Sequence, residues 1–162
     1  MRNEGHIDIA KATLRGVTVT RHAVARFDGG RTFVATVGLG WPRLWAFSTE
    51  AIVSGFGEGV AKSGSARGAE RLRAAMQGAR ERFIERCEAL IERQLPDAGV
   101  IGLTLDGGEL HVHAVGPVRA YLHRKGESQR ISPRDEADRG ILDASIAEAL
   151  SLIHISEPTR PY

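Results

Sequence analysis

Residues 109–131 read ELHVHAVGPVRAYLHRKGESQRI, and the alternation inside this stretch decides how the chain folds. Leu110, Val112 and Ala114 share one face of an extended segment, while His111 and His113 fall on the other, because side chains alternate along a strand. Gly116-Pro117 breaks the segment. Residues 118–123 resume it, and a polar turn around Gly126 leads to a further short strand near residues 129–131. Upstream, Asp106-Gly107-Gly108 connects this stretch to another alternating apolar run at residues 99–105, which predicts an antiparallel hairpin.

Working outward, residues 13–27 are rich in β-branched side chains, Asp28-Gly29-Gly30 is a turn signal, and residues 32–37 supply a second arm, giving another hairpin. Residues 38–42 (GLGWP) interrupt the pattern, and residues 44–47 read as a short apolar strand. The glycines of residues 54–68 predict a loop or a poorly formed helix start. Over residues 69–95 the apolar side chains Leu72, Met76, Ala79, Phe83, Cys87, Leu90 and Ile91 recur at three and four residues, with Arg and Glu between them. That is the stripe of an amphipathic helix, stopped by Pro96-Asp97. Residues 138–149 form a weaker helical pattern. Strands, one long helix and more strands make an α+β order, with a helix laid on an antiparallel sheet.

With 162 residues, 42% hydrophobic and 26% charged, the chain suits one soluble core-forming domain. Lys+Arg (22) barely exceeds Asp+Glu (20), and the arginines interleave with glutamates along one helix. This is a solvated face rather than a nucleic-acid groove. A single cysteine excludes an internal disulfide, and Cys87 lies on the apolar stripe as a core thiol in a reducing compartment. No apolar run reaches bilayer length and the N-terminus lacks the apolar core of a signal peptide, so the expected location is the cytoplasm, with no membrane partner.

The residues Val112, Val115, Gly116, Arg119, Ala120, Tyr121, Leu122, Arg124 and Gly126 resemble the metal-dependent protein phosphatases of the type 2C (PPM) serine/threonine class. In that class the corresponding segment reads roughly V-x-x-V-G-D-S-R-A-Y-L-x-R-x-G. The resemblance implies a layered antiparallel β-sandwich flanked by helices, here incomplete, and a mechanism in which Mg or Mn ions held by Asp and Glu oxygens activate a water against a phosphate. Where the class has Asp after the Gly, this chain has Pro117.

The resemblance implies two other carboxylate positions. An N-terminal Arg-x-x-Asn-Glu-Asp type motif would match Arg2-Asn3-Glu4-Gly5, with Arg2 as a phosphate-binding candidate, Glu4 as a metal candidate and Gly5 in place of the Asp. The strand-turn motif Val-x-Asp-Gly-x-Gly-Gly has two placements. Residues 34–41 (VATVGLGW) keep Gly-Leu-Gly but put Val37 where the Asp would stand. Residues 46–51 (AFSTEA) put Thr49 there, with Glu50 beside it as the other metal candidate, and residues 57–61 (GEGVA) then resemble the helix start that follows the motif. We expect the second placement. Neither keeps the Asp, and no catalytic residue is assigned.

Other residues reduce to structure. His111 and His113 share a strand face but lack a third ligand for zinc, and they read as the polar side of the strand. Trp41 and Trp45 are packing anchors. Asp106-Gly107-Gly108 is a turn and not a phosphate cradle, Arg119 is structural, and residues 63–67 (SGSAR) are a candidate mobile flap. Residues 150–160 (LSLIHISEPTR) back-translate codon for codon into the end of a transposase-type sequencing adapter. We therefore expect residues 1–149 to be a partial phosphatase-like domain, residues 150–162 a non-native tail, and the sheet to be left with an unpaired edge. The functional expectation is a protein phosphatase-like domain with an eroded metal centre and no confident cofactor, binding a phosphoprotein or a protein kinase. One alternative is an active Mg/Mn-dependent serine/threonine phosphatase completed by residues beyond this stretch. The other is an unrelated α+β binding module.

Overall fold

In β2 (Thr32–Leu39) every second side chain is buried, and this period-two pattern sets both faces of the sheet around it. The computed structural model describes residues 21–91, 95–132, 140–142 and the backbone of 150–154. β1 (His22–Phe27), β2, β3 (Asp97–Asp106), β4 (Glu109–Val115) and β7 (Leu150–His154) form one antiparallel sheet in that order, and β5 (Tyr121–Arg124) pairs with β6 (Glu127–Arg130). Two helices, α1 (Trp45–Lys62) and α2 (Gly68–Glu88), pack together on one face of the sheet. Among the described residues, no helix is long and apolar enough to cross a membrane.

The helix-facing core gathers Val34, Val100 and Val115 from the strands against Ile52, Phe56, Leu72, Met76 and Phe83 from the helices. Gly102, in mid-strand, makes room for it. A Cβ there would stand 2.8 Å from Leu72 Cδ1 and 3.0 Å from Phe56 Cε2. Across that face Thr32 and Thr104 share a buried hydroxyl hydrogen bond of 2.9 Å, which satisfies two groups that the core would otherwise penalise. The opposite face carries Ile101, Leu110, Val112 and Ala114, with Val118, Ala120, Leu122 and Ile131 laid over them. The alternation expected of both hairpins is present where it is described, with register His22↔Val37 in one and Leu105↔Leu110 in the other, and residues 13–20 of the first arm lie outside the described residues.

Three local expectations are corrected. Residues 44–47 are not a strand: Pro42–Leu44 make a turn of 3-10 helix and α1 begins at Trp45. Pro42 carries a φ already suited to a helix start, and the Ser48 hydroxyl then donates to Leu44 O at 3.0 Å. Residues 54–62 are helical as well. Their glycines are contact surfaces, since a Cβ on Gly55 would lie 2.4 Å from Gly78 O and one on Gly59 2.3 Å from Ala74 O. Backbone-to-backbone packing against α2 outweighs the weak helix propensity of glycine. Finally, α2 stops at Glu88, short of Pro96; Cys87 is its last buried residue, and Ile91 is 100% exposed. Beyond Cys87 the stripe is not buried in the core, so it does not hold the helix past residue 88.

The third strand expected over residues 118–123 begins only at Tyr121. Gly116, at φ +83°, turns the chain off β4, and Ala120 then accepts from Ile131 N at 2.8 Å. Residues 140–142 are a turn, and the remainder of the helical pattern at 138–149 lies outside the described residues. The expected unpaired edge is not at β4, whose outer side is paired by β7 from Glu109↔His154 to His113↔Leu150. Ladder hydrogen bonds are indifferent to the origin of the strand that makes them, and a β-prone segment fills an available edge.

Gly59→Ala tests the helix contact. The Ala74 carbonyl is fixed in α2, so urea denaturation should show a loss of about 1–3 kcal/mol, although alanine is the better helix former by roughly 1 kcal/mol.

Candidate functional site

The end of the sheet where β2 and β4 finish and β3 starts brings the motif positions together. β2 runs out through Val37-Gly38-Leu39, and Gly40 at φ +73° turns the chain toward α1. Gly38 lies so close to the helix start that a Cβ would be 2.8 Å from Trp45 Cα. The Trp45 indole donates to Gly40 O at 3.1 Å, and the Arg21 guanidinium lies 4.7 Å over the same ring. Arg21 Nε also donates to Gly38 O at 3.4 Å.

This geometry corrects the expected placement of the strand-turn motif. Residues 46–51 lie inside α1, where Thr49 is buried and returns its hydroxyl to Trp45 O at 3.1 Å. Residues 34–41 have the strand and the turn, with the helix following, and Val37 lies at the end of that strand. Glu50 is exposed on the helix side of the sheet, beside a groove lined by His22, Val24, Ala46 and Val53. Val37 projects from the other face. Arg2 and Glu4 lie outside the described residues.

Val37 and Pro117, from the two motifs, meet across Gly99. From the position a Gly99 Cβ would take, Val37 Cγ1 is 3.0 Å away, Val118 Cγ1 3.1 Å and Pro117 Cδ 3.4 Å. These side chains offer carbon to the space between them. Among the described residues no three His, Cys, Asp or Glu side chains come together in a way that could hold a metal ion. Hard dications need several oxygen ligands, so the residues at these positions do not fit Mg or Mn.

A nearby carboxylate, Asp97, has only a helix-stop signal in the sequence. It opens β3 opposite Leu39. Its oxygens are engaged by backbone: Oδ1 accepts from Ala98 N at 2.8 Å and Leu142 N at 3.3 Å, and Oδ2 from Gly140 N at 2.9 Å. It clamps the turn that carries the fully buried Ile141. Burial, with the negative charge of Asp97 second, pushes the Cys87 thiol above its ordinary range, which agrees with an unreactive core thiol.

His111 and His113 are on the face opposite Leu110 and Val112, as expected, but that face is covered by the helices. His113 is fully buried and neither ring nitrogen has a hydrogen-bond partner. Burial, followed by the charge of Arg73, lowers its pKa from 6.5 to about 4. Trp45 is the packing anchor expected, whereas Trp41 is largely exposed. The loop at 63–67 is tied down: Arg71 Nε donates to Ala66 O at 2.9 Å and its Nη2 to Gly64 O at 2.8 Å.

No protein-family model and no curated protein matches the sequence. Solved structures do match the fold. The catalytic domain of the serine/threonine protein phosphatase PstP, in complex with two manganese ions, superposes with a TM-score of 0.67 at 16% identity, over 91% of this chain and 70% of that one. The Mycobacterium tuberculosis phosphatase PstP/Ppp gives 0.58 at 17% identity, over 78% of this chain and 52% of that one. PppA, a regulatory component of the type VI secretion system of Pseudomonas aeruginosa, gives 0.63 at 18%, over 85% and 66%. The chain thus has the fold of type 2C serine/threonine phosphatases and spans about half to seven tenths of these relatives. The alternative of an unrelated α+β fold does not stand.

Two measurements check the local chemistry. His113 is held neutral in the folded state below the pH at which it protonates when unfolded. Its contribution to stability is therefore complete above pH 6.5, is lost as pH falls toward about 4, and levels off below. The loss should be roughly 3 kcal/mol, and denaturation across this range should show it flattened in His113→Leu. Asp97→Ala should cost about 2–3 kcal/mol by removing charge-assisted hydrogen bonds to the 140–142 turn, as read by urea unfolding.

Proposed function

We propose that residues 1–149 form a protein serine/threonine phosphatase-like domain with an eroded metal centre, and that it works in the cytoplasm as a regulator which binds a phosphoprotein or a protein kinase without turnover. On this reading residues 150–162 are a non-native addition, of which 150–154 cover the β4 edge. The observation that carries the proposal is the convergence of Val37 and Pro117 on Gly99. In the type 2C class both positions are aspartates, and metal catalysis of phosphate hydrolysis depends on anionic oxygens that hold the ions while these polarise water. Valine and proline supply none.

The neighbouring backbone supports the same reading. The Gly38 carbonyl, a hard oxygen beside the missing carboxylate, already accepts from Arg21. A fixed monocation there disfavours the arrival of a dication, since like charges repel strongly at short range. The fold, the strand-turn-helix element and the Arg119-Ala120-Tyr121-Leu122 signature are retained around this end of the sheet. A domain that keeps the scaffold and loses the ligands keeps its surfaces for recognition while losing the step that needs metal.

The expected result is no Mn or Mg binding at micromolar strength by calorimetry, and no hydrolysis of p-nitrophenyl phosphate above background when Mn is supplied. Metal-dependent turnover that disappears in Glu50→Gln or Glu4→Gln would overturn the proposal.

A further inference from the structure

The β5–β6 ribbon differs from the rest of the molecule in its charge. Residues 118–132 carry Arg119, Arg124, Lys125 and Arg130 against one carboxylate, Glu127, so four cations face one anion and the net charge of +3 exceeds the +2 of the whole chain. We propose that the outer face of this ribbon docks an acidic segment of a partner protein. The inference rests on the reading of the domain as a binder of a phosphoprotein or protein kinase, and it names the surface that such a partner would use.

Alternation fixes which side chains share that face. Val118, Ala120 and Leu122 turn inward and pack with Ile131 on the main sheet, while Arg119, Tyr121 and His123 between them are exposed. The register adds the second strand: Arg130 lies opposite Tyr121, and Ser128 opposite His123. The one carboxylate of the ribbon, Glu127, stands opposite Arg124 on the inward side of the alternation. The outward face thus sets two guanidinium groups around a tyrosine ring, Arg119 two residues along the strand and Arg130 across it. Lys125 adds a further cation at the tip.

The ribbon is also held in one shape. Lys125 at φ +51° and Gly126 at φ +82° form the two-residue turn between Arg124 and Glu127, and its mirror-image geometry matches the twist of the strands. His123 Nδ1 and Ser128 Oγ are hydrogen-bonded across the ribbon at 2.9 Å. The Ser132 hydroxyl accepts from Ala120 N and from Arg130 Nε, both at 3.2 Å, which anchors that guanidinium to the base of the ribbon. A surface fixed beforehand loses less freedom on binding. Tyr121 is 57% exposed, and tyrosine and arginine are the residue types that contribute most at protein interfaces. Guanidinium groups match carboxylates bidentately, and the excess positive charge speeds encounter with an acidic partner. Each strand has four residues, about 13 Å. That length suits a short peptide stretch, whereas a nucleic-acid groove follows a longer backbone with several stacking rings.

The test uses the full chain, with fluorescence anisotropy of a labelled Glu- and Asp-rich peptide, its Gln and Asn counterpart, and a labelled single-stranded oligonucleotide. Arg119→Glu and Lys125→Glu each reverse one exposed charge on the ribbon. Arg43→Glu reverses an exposed charge just before α1 and controls for net charge. Thermal melting verifies that the variants fold; should Arg119→Glu fail, Lys125→Glu decides, because Lys125 lies at the exposed tip of the hairpin. We expect the acidic peptide alone to bind, and binding to weaken about tenfold in each ribbon variant, to weaken with added salt, and to be unchanged in Arg43→Glu. Absence of binding by the acidic peptide, or equal weakening in all three variants, would sink the docking face. Tighter binding of the oligonucleotide than of the peptide would assign the face to nucleic acid and so overturn it as well. Hydrolysis of p-nitrophenyl phosphate with Mn, by contrast, would remove the eroded-centre reading while leaving the peptide comparison to decide this one.

Discussion

The close approach of α1 to α2 is the constraint from which the rest of this structure follows. Gly55 and Gly59 lie against the backbone of Gly78 and Ala74 at distances that no Cβ tolerates, so the helices meet main chain to main chain and behave as one slab. Because they sit so close, Phe56, Leu72 and Met76 project together toward the sheet, and Gly102 receives them. Small residues thus do two jobs here, setting the helix spacing and then the depth to which the slab settles. Burial of the large apolar side chains supplies the driving force, while the glycines define the one geometry in which that burial is reached without strain.

That slab also decides where chemistry can stand. It seals one face of the sheet, which is why His111 and His113 are buried although they lie on the polar side of an alternating strand. It leaves the two ends of the sheet as the places where turns converge. One end collects Gly38, Gly99 and Gly116-Pro117, and the side chains of Val37, Pro117 and Val118 that meet there are apolar. The other collects the hairpin turns and the start of α2, and its side chains are ionic. On the proposed reading hydrolytic chemistry is lost from the first.

Much of this was legible in the sequence where the signal is local and periodic. The two hairpins, the α2 stripe from Leu72 to Cys87 and the signature ending at Gly126 all rest on side-chain alternation or helical spacing, and each lies within a few residues of its expected place. What escaped depends on contacts distant in sequence. The glycines of α1 read as a loop because propensity counts against them, and only the partner helix shows that they are contact points. The strand-turn motif was assigned to residues 46–51 for the same reason, since a helix unrecognised at residue 45 cannot exclude a turn inside it. Asp97 carried no such signal: it reads as a helix-stop residue, and its distant partners are the backbone N–H groups of Gly140 and Leu142.

On the proposed reading, the residues at the apolar end also make sense as a set of substitutions. Carboxylates gathered around a metal repel one another once the metal is lost, and the repulsion in a partly buried site is large enough to raise their pKa values or loosen the strands that hold them. A chain that lost affinity for the ions while keeping the aspartates would carry that penalty at the junction of three strands. Replacing both with carbon removes it: Val37 and Pro117 then pack with Val118 around Gly99, and the strand ends gain contact where they would have gained charge. Loss of one ligand therefore favours loss of the next, because each remaining carboxylate costs stability and returns no bound metal. On the proposed reading the scaffold persisted through this sequence of changes because the glycine-set packing of α1, α2 and the sheet lies on the other face and never depended on the ions.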